Sequence, residues 1–369
     1  MMNHQAAQIL ALIRSQSANR RSTDVNPSAS KLKHEKLLNI AGRPVIAPNP
    51  SRATSPRGSD TLKLALAFAA IYLVWGSTYL AIRYAVETIP PLVTAGLRHT
   101  IAGSILFAWA WLRGYRPRRE HWIAGAIVGA LFFLVGHGTL HWAEQYVGSG
   151  LAALLIATEP MFILLFAWAM RQQKISRISA LGLALGVVGV AVLTGGALAS
   201  KSTSLLGIIA VLVGSAAWAF GVALSPKLKL PTDALARTAV PLVCGAAMLL
   251  IAAAVTGEFH ATHWASISLK SVLGLAYLIV FGSIVAFTAY TWLLQLCPPT
   301  LVATHTYANP VVAVLLGWLL ASEALSSRIV LASIAILGAI VLIRRGERHA
   351  ERAAVAPAPA DVKSFEQCA

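Results

Sequence analysis

Residues 151–168 read LAALLIATEPMFILLFAW, and residues 301–318 read LVATHTYANPVVAVLLGW. Each residue of the second stretch lies 150 positions after its partner in the first, so that Pro160 meets Pro310. Other identities in this register include Trp142 with Trp292, Leu151 with Leu301, Ala153 with Ala303, Leu165 with Leu315, Trp168 with Trp318 and Ser176 with Ser326. Leucine and alanine match by chance in an apolar chain, but one proline pair and two tryptophan pairs in one register indicate an internal repeat.

The composition around this repeat is that of a membrane protein. The 369 residues are 57% hydrophobic and 12% charged, with a mean hydropathy of +0.69. Soluble domains carry about twice that charged fraction. The formal net charge is +16, but the basic residues lie in the tails and in short loops, which is how membrane proteins set their orientation. We therefore predict a lipid bilayer as the environment and no nucleic-acid partner.

Ten apolar segments follow one another along the chain, each of about 18–25 residues and able to cross about 30 Å of hydrocarbon. They are predicted at 62–85, 91–112, 121–142, 148–170, 178–196, 205–226, 234–256, 270–295, 299–320 and 327–343. The expected fold is an all-α membrane protein with ten transmembrane helices. Residues 1–60 and 346–369 are polar or rich in alanine and proline, and we predict disordered tails there.

The positive charges of the loops orient the segments. The loops predicted inside contain Arg113, Arg116, Arg118, Arg119, Arg171, Lys174, Arg177, Lys227, Lys229 and Arg237, whereas the outer connections contain Lys201, Lys270 and Arg328. Cytoplasmic loops carry the excess of lysine and arginine. Both termini are therefore predicted to be cytoplasmic.

Two halves of five helices each, at 61–197 and 203–345, follow from the repeat. Because five is an odd number, the second half enters the membrane from the opposite side, and the repeat is inverted. Many secondary transporters have this design, since exchanging the packing of the two halves turns an inward-open site into an outward-open one. The alternative is a gene duplication that only builds a stable bundle.

Several motifs resemble one protein family. The motifs are VWGSTY at 74–79, the Pro90–Pro91 pair, AGLR at 95–98, GSIVA at 282–286 and YANPVVAVLLG at 307–317. They are similar to the EamA domain of the drug/metabolite transporter superfamily, and the likeness covers about 61–345. Glu159 departs from the family's pattern, which is apolar at that position.

The resemblance implies a ten-helix bundle in a bacterial inner membrane with cytoplasmic termini. It also implies export of a small metabolite, an amino acid or a drug-like compound. Segments one to four and six to nine would line a central cavity, and segments five and ten would pack outside it. The expected partner is thus a small-molecule substrate, and the resemblance does not identify it.

Polar residues at membrane depth are the candidates for that cavity, because an ionisable side chain there costs several kcal/mol unless it is paired or hydrated. Arg98 matches an arginine of the family. It would bind an anionic or carboxylate group or act as a gate; alternatively, it caps carbonyl groups of a neighbouring helix or reaches the interface. The full set of candidates is Trp75, Gly76, Ser77, Tyr79, Arg98, Glu159, Pro160, Tyr290, His305, Tyr307, Asn309 and Pro310.

Two prolines occupy matching places in segments four and nine, in the pairs Glu159–Pro160 and Asn309–Pro310. A proline removes one helical hydrogen bond, and interrupted helices near the bilayer midplane mark the binding sites of many transporters. Both segments are therefore predicted to be interrupted. Glu159 is also the candidate proton site, because burial favours a protonated carboxyl group; alternatively, it pairs with an arginine or lines water.

Two features of segment one have more than one interpretation. Gly76 and Ser77 lie in its middle, where a small residue allows close approach of either a substrate or a neighbouring helix. Arg83 and Glu87 are four residues apart near its outer end. We predict that they form an interfacial ion pair.

Neither a metal nor a cofactor is predicted. His137, His141 and Glu144 share a helix face, and two histidines with a carboxylate can bind zinc. However, they come from a single helix and no fourth ligand is evident, so polar lining or a surface pair is the preferred interpretation. The three cysteines of the chain have no metal-ligand spacing.

Two other functions remain open, a membrane enzyme acting on a lipid or isoprenoid carrier and a sensor or scaffold without transport. Such an enzyme needs clustered aspartate or histidine at the membrane face, whereas Glu120 and Asp233 stand alone in the inner loops. The sequence has no Walker A motif, which excludes an ATP-driven pump in this chain. Small residues at 182, 186 and 189 mark close helix contacts, either within one chain or in a homodimer.

Overall fold

The computed structural model describes residues 58–199, 204–297, 302 and 304–355. Within these ranges the chain is helical and contains no strand. Two short helices, Glu258–Ala261 and Trp264–Ser266, lie between the long helix that ends at Val255 and the one that begins at Leu269. The long helices are α1 (Gly58–Ala69, Ala70–Val74 and Trp75–Ala85), α2 (Pro91–Leu112), α3 (Arg119–Gly129, Ala130–His137 and Gly138–Ala143), α4 (Ser149–Ile156 and Glu159–Ala169), α5 (Arg177–Ala199), α6 (Leu205–Leu224), α7 (Ala234–Val255), α8 (Leu269–Tyr277, Leu278–Val285 and Ala286–Leu296), α9 (His305–Ala321) and α10 (Ser327–Val355).

Eight of these helices are long and apolar enough to cross a membrane, namely α1, α3 to α8 and α10. The 22-residue α2 is long enough to cross a membrane but is less apolar than these eight helices, and it carries the polar pair Arg98 and His99. Helix α9 has 17 residues and is apolar. It begins at His305, whereas we predicted its start at 299, and most of the residues between 298 and 303 lie outside the described part. Large apolar side chains such as Leu181 and Ile334 are more than 60% exposed, as expected of a surface that faces lipid.

The predicted tails are largely outside the described ranges. Residues 1–57 and 356–369 are not described. Helix α10 continues to Val355, which is ten residues beyond the boundary predicted for the C-terminal tail.

Three of the helices contain a π-helical stretch, in which the backbone hydrogen bonds span one extra residue. These stretches are Ala70–Val74 in α1, Ala130–His137 in α3 and Leu278–Val285 in α8. π-Helical turns are rare and occur frequently at functional sites, because they change the direction in which side chains and carbonyl groups point. The stretches of α3 and α8 nearly coincide when the chain is shifted by 150 residues.

The helices pack in a network of neighbouring pairs. Helix α5 lies along α10, and α2 lies along α7. Helix α1 packs against α8 and α9, and α6 packs against α3 and α4. Finally, α2 contacts α8 and α7 contacts α3.

Small residues bring α5 and α10 together within the chain. A Cβ atom added to Gly182 would lie 2.9 Å from the carbonyl oxygen of Ala339, and one added to Gly189 would lie 2.9 Å from Ile336 Cγ1. The small-residue face of α5 is thus occupied by α10. Of the two alternatives for this pattern, the structure shows the contact within one chain.

Replacing Gly182 with leucine should lower the free energy of unfolding by about 1–3 kcal/mol, as overpacking typically does. The group in the way is a backbone carbonyl of α10, which cannot rotate aside. Gly195→Leu on the same helix is the matched control, because a Cβ there meets no atom within 4 Å. Thermal unfolding of both variants in detergent would measure the difference, and equal stability of the two would contradict this packing.

Two glutamates, each from a connection between long helices, bind the free N–H groups at the starts of other helices. The Glu258 carboxylate accepts hydrogen bonds from the backbone N–H groups of Leu92 and Val93 at 2.9 and 3.0 Å. Burial raises the pKa of the Glu258 carboxyl group, while these two donors act in the opposite direction. Since no water reaches the bilayer core, the first N–H groups of a membrane helix need such internal partners.

Glu323 has the same role at the start of α4 and also binds a charge. Its carboxylate accepts hydrogen bonds from Ser149 N at 2.7 Å, Ser149 Oγ at 2.8 Å and Gly150 N at 3.0 Å. It also pairs with the Arg83 guanidinium at 2.8 Å. The predicted Arg83–Glu87 pair is therefore wrong, because Glu87 follows the end of α1 and pairs with Lys270 at 2.6 Å.

Candidate functional site

The π-helical stretch of α8 is the meeting point of α1, α2 and α8. The Arg98 side chain is 4% exposed, and its Nε donates a hydrogen bond to Ser283 Oγ at 3.1 Å. Trp75 Nε1 donates to the carbonyl oxygen of the adjacent Gly282, also at 3.1 Å. This carbonyl lies within the π-helical stretch, where the backbone hydrogen bonds span one extra residue. Two of the predicted candidates, Arg98 and Trp75, thus bind consecutive residues of one helix.

Three aromatic rings pack around the ring of Trp75. The ring centroids of Phe287, Tyr290 and His305 lie 5.5, 5.2 and 4.8 Å from that of Trp75. His305 Nδ1 donates a hydrogen bond to the Val302 carbonyl at 2.9 Å. The predicted candidates Trp75, Tyr290 and His305 therefore form one cluster, built from α1, α8 and α9.

Asn309 ties the start of α9 to α1. In the orientation that satisfies both carbonyl groups, its side-chain nitrogen donates to His305 O at 2.9 Å and to Tyr72 O at 3.3 Å. The Tyr72 and Thr304 hydroxyl groups are hydrogen-bonded to each other. Asn309 thus has a role in fixing this helix pair, next to the aromatic cluster.

The two small residues of α1 have different roles: Gly76 packs against α9, and Ser77 forms hydrogen bonds. A Cβ atom on the buried Gly76 would lie 2.6 Å from Val312 Cβ and 3.2 Å from Asn309 O, so this glycine allows α1 to approach α9. The Ser77 hydroxyl donates to Val74 O at 2.8 Å and accepts from Tyr277 at 2.7 Å. At Gly76, of the two interpretations given above, the structure supports helix contact.

Helix α4 is interrupted where the sequence predicts it. It ends at Ile156 and resumes at Glu159, with Pro160 in its first turn. The prediction was wrong for α9, which runs without a break through Pro310. In the break before Pro160, the Thr158 hydroxyl group donates a hydrogen bond to Leu155 O at 2.6 Å.

Three further candidates, Glu159, Tyr307 and Tyr79, lie on α4, α9 and α1. Glu159 is half-buried, and Arg344 of α10 is a cation near enough to act on it. Tyr307 also faces Arg344. Tyr307 and Tyr79 pack against the largest buried apolar cluster. Glu159 and Arg344 are also near enough to act on Tyr290 of the Trp75 cluster.

A second polar cluster, which sequence reasoning placed near the surface, is buried between α2 and α3. His141 is fully buried and Glu144 is 3% exposed. His99, which the sequence analysis missed, joins this cluster through a hydrogen bond of 2.7 Å to His137. The signal for His99 was present, since it is an ionisable residue beside Arg98 in an apolar segment. The described residues contain no group of three or more histidine, cysteine or acidic side chains arranged to hold a metal ion.

Two cavities open at opposite ends of the bundle. The larger, of about 710 Å³, lies where α4 begins and α9 ends, and Arg83, Glu144 and Glu323 are among its lining residues. We call it the outer cavity, because the charges of the loops predict that this end of the bundle faces the outside. The smaller, of about 250 Å³, lies between α2, α7 and α8, and we call it the inner cavity. None of the twelve candidates lines either cavity, but Phe287 joins the inner cavity to the ring of Trp75.

Comparison with known proteins identifies the family. The sequence model of the EamA-like transporter family matches residues 62–195 and again residues 205–345. The protein named "Uncharacterized inner membrane transporter YedA" of Escherichia coli K12 is 38% identical over 295 residues, which are 79% of this chain and 94% of YedA. The "Uncharacterized transporter YvbV" of Bacillus subtilis 168 is 25% identical over 79% of this chain and 95% of its own length.

The fold is also similar to that of a solved structure. A protein known from its crystal structure is 21% identical, with a TM-score of 0.55 over 79% of this chain and 99% of the other. With this fold and two matches to one family model, the chain belongs to the EamA-like transporter family and is a multi-pass membrane transporter.

Proposed function

We propose that the protein is a ten-span secondary transporter of a bacterial inner membrane. It exports a small molecule by alternating access between two inverted five-helix halves, with both termini in the cytoplasm. The names of the relatives, one of them an inner membrane transporter, favour transport over the membrane enzyme and the scaffold considered above. The energy comes from a proton gradient or from the gradient of the substrate itself.

The observation that carries this proposal is the symmetry of the helix contacts. Exchanging the halves replaces α1 by α6, α2 by α7, α3 by α8, α4 by α9 and α5 by α10. Under this exchange the pairs α2–α7 and α5–α10 map onto themselves, α1–α9 maps onto α6–α4, α1–α8 onto α6–α3, and α2–α8 onto α7–α3. Each of these packed pairs therefore has its counterpart, as two exchangeable halves require.

Local features agree with this symmetry. The described residues contain two non-glycine residues with positive φ, Arg171 at 57° and Ser322 at 53°. They follow α4 and α9, which are partners in the repeat. The family model also matches the chain twice, once in each half.

The proposed substrate carries an anionic or carboxylate group on an apolar body. Arg98 is a buried cation whose Nε is bound by a neutral hydroxyl group, and in this proposal its guanidinium pairs with the anionic group of the substrate. The rings of Phe287 and Tyr290 pack against that of Trp75, whose Nε1 binds the carbonyl oxygen of Gly282. In this proposal they pack against the apolar part of the substrate when the helices separate.

Alternating access predicts opposite changes at the two cavities. In a variant with Cys244, Cys297 and Cys368 replaced by serine, Leu151→Cys in the outer cavity should react with a membrane-impermeant maleimide from outside. Thr238→Cys in the inner cavity should react only after the membrane is opened. An exported compound should raise the labelling of one and lower that of the other.

The control for this experiment is Leu181→Cys, on an exposed apolar face of α5, which should react from neither side. Labelling of the Leu151 and Thr238 positions from the same side would contradict the proposed orientation. Labelling that an exported compound changes in the same direction at both positions would contradict alternating access.

A further inference from the structure

The buried cluster of α2 and α3 contains ionisable groups that lack hydrogen-bond partners. Neither carboxylate oxygen of Glu144 has a partner within the described residues, and His141 Nε2 and His99 Nδ1 have none either. Leaving such groups unpaired in a buried site is costly. Buried ionisable residues that membrane proteins retain at this cost mark proton relays and ion pathways.

The hydrogen bonds of the histidines fix where their protons lie. His141 Nδ1 is 2.7 Å from the carbonyl oxygen of His137. A carbonyl only accepts, so Nδ1 carries the hydrogen, and in the neutral ring Nε2 has a free lone pair. Similarly, the 2.7 Å distance between His137 Nδ1 and His99 Nε2 requires that one of these nitrogens is unprotonated. The cluster therefore presents proton acceptors inside the protein.

Glu144 lies at the end of this cluster that meets the outer cavity. It follows the last residue of α3, is 3% exposed, and is one of the cavity's lining residues. His141 precedes it by three residues, but its Nε2 and the Glu144 carboxylate are not hydrogen-bonded to each other. Glu144 is thus the ionisable group of this cluster that a proton from the cavity reaches.

Charged and titratable groups also surround Glu144 from the neighbouring elements. They are Arg83 and Tyr79 on α1, Arg98 on α2 and Glu323 in the connection between α9 and α10. The two arginines favour an ionised Glu144, but Arg83 is bound to the Glu323 carboxylate at 2.8 Å, which offsets its charge. The Glu323 carboxylate repels a negative charge on Glu144 and therefore favours its protonated form.

We propose that Glu144 is a proton-binding site which opens to the outer cavity. On binding, an O–H bond of a hydronium ion in the cavity breaks and an O–H bond forms on the Glu144 carboxylate, leaving water. The reverse step returns the proton. The proposal rests on the function proposed above and assigns the coupling proton to Glu144 rather than to Glu159.

Infrared spectroscopy of the protein reconstituted in lipid can test this without a substrate. At neutral pH the wild type should show the C=O stretch of a protonated carboxylic acid, and this band should disappear at high pH. Glu144→Gln should lose the band, and Glu144→Asp should retain it at a shifted frequency. Glu120→Gln should leave it unchanged, because Glu120 is 37% exposed and pairs with Lys229.

Two results of the infrared experiment would contradict the assignment to Glu144. If Glu144→Gln retains the wild-type band, or if Glu159→Gln removes it instead, the assignment to Glu144 is overturned. A monodisperse elution profile and an unchanged amide band would show that Glu144→Gln is folded. If Glu144→Gln does not fold, the shifted carboxylic-acid band of Glu144→Asp tests the assignment instead. Because no transported compound is needed, a failed export assay and a failed proton assignment are distinguishable.

Discussion

Replacing Arg98 with alanine should reduce export by about ten- to hundredfold. Hydrogen bonds that involve a charged group contribute about 1.5–3 kcal/mol, and this variant removes both the bond to Ser283 and the proposed ligand of the substrate's anionic group. Arg98→Lys keeps the charge but loses the planar fork of donors, so an intermediate effect is expected. The measurement is a resistance screen of cells that overproduce the protein, followed by flux assays in vesicles with the compound found.

The matched control is Arg118→Ala, whose side chain is 77% exposed and which should export normally. The abundance of each variant in the membrane must be measured as well, because a buried arginine also contributes to packing. If Arg98→Ala reaches the membrane and exports at the wild-type rate, Arg98 has the structural role that the sequence left open. If no compound yields resistance or efflux in the wild type, the export proposal itself is contradicted.

Replacing Glu323 with alanine should lower the free energy of unfolding by about 2–4 kcal/mol. The carboxylate binds Arg83 and three donors of Ser149 and Gly150, and it is 16% exposed. Removing one partner of a mostly buried pair leaves an uncompensated charge and unpaired N–H groups. Thermal unfolding in detergent would measure this loss.

Glu87→Ala provides the comparison for Glu323. Glu87 also pairs with a cation, Lys270, but the two side chains are 40% and 49% exposed. Such exposed pairs contribute about 0–1 kcal/mol. Similar losses in the two variants would show that the helix start at Ser149 does not depend on Glu323.

The sequence predicts features whose cause is local. The apolar segments correspond to helices because a run of about 20 apolar residues has few alternatives in a bilayer. The break before Pro160 was predictable in the same way, since proline cannot donate to the preceding turn. Pro310 shows the limit of this rule, because whether a helix breaks at a proline depends on the preceding residues and on neighbouring helices.

Features that depend on residues far apart in the sequence could not be predicted. Glu323 lies 240 positions after Arg83, and helix spacing favoured the neighbour Glu87 instead. Arg98 was identified as a candidate, but its partner Ser283 depends on the π-helical stretch of α8, which no sequence pattern indicated. The buried position of His141 and Glu144 likewise follows from how α3 meets α2.

The Glu323 contacts have a consequence for the history of this gene. The counterpart of Glu323 in the first half, 150 positions earlier, is Gln173, and a neutral amide cannot balance the charge of Arg83. A dimer assembled from two copies of the first half would therefore leave that arginine uncompensated. If the halves are related as proposed above, they have diverged into unlike parts that cannot substitute for each other.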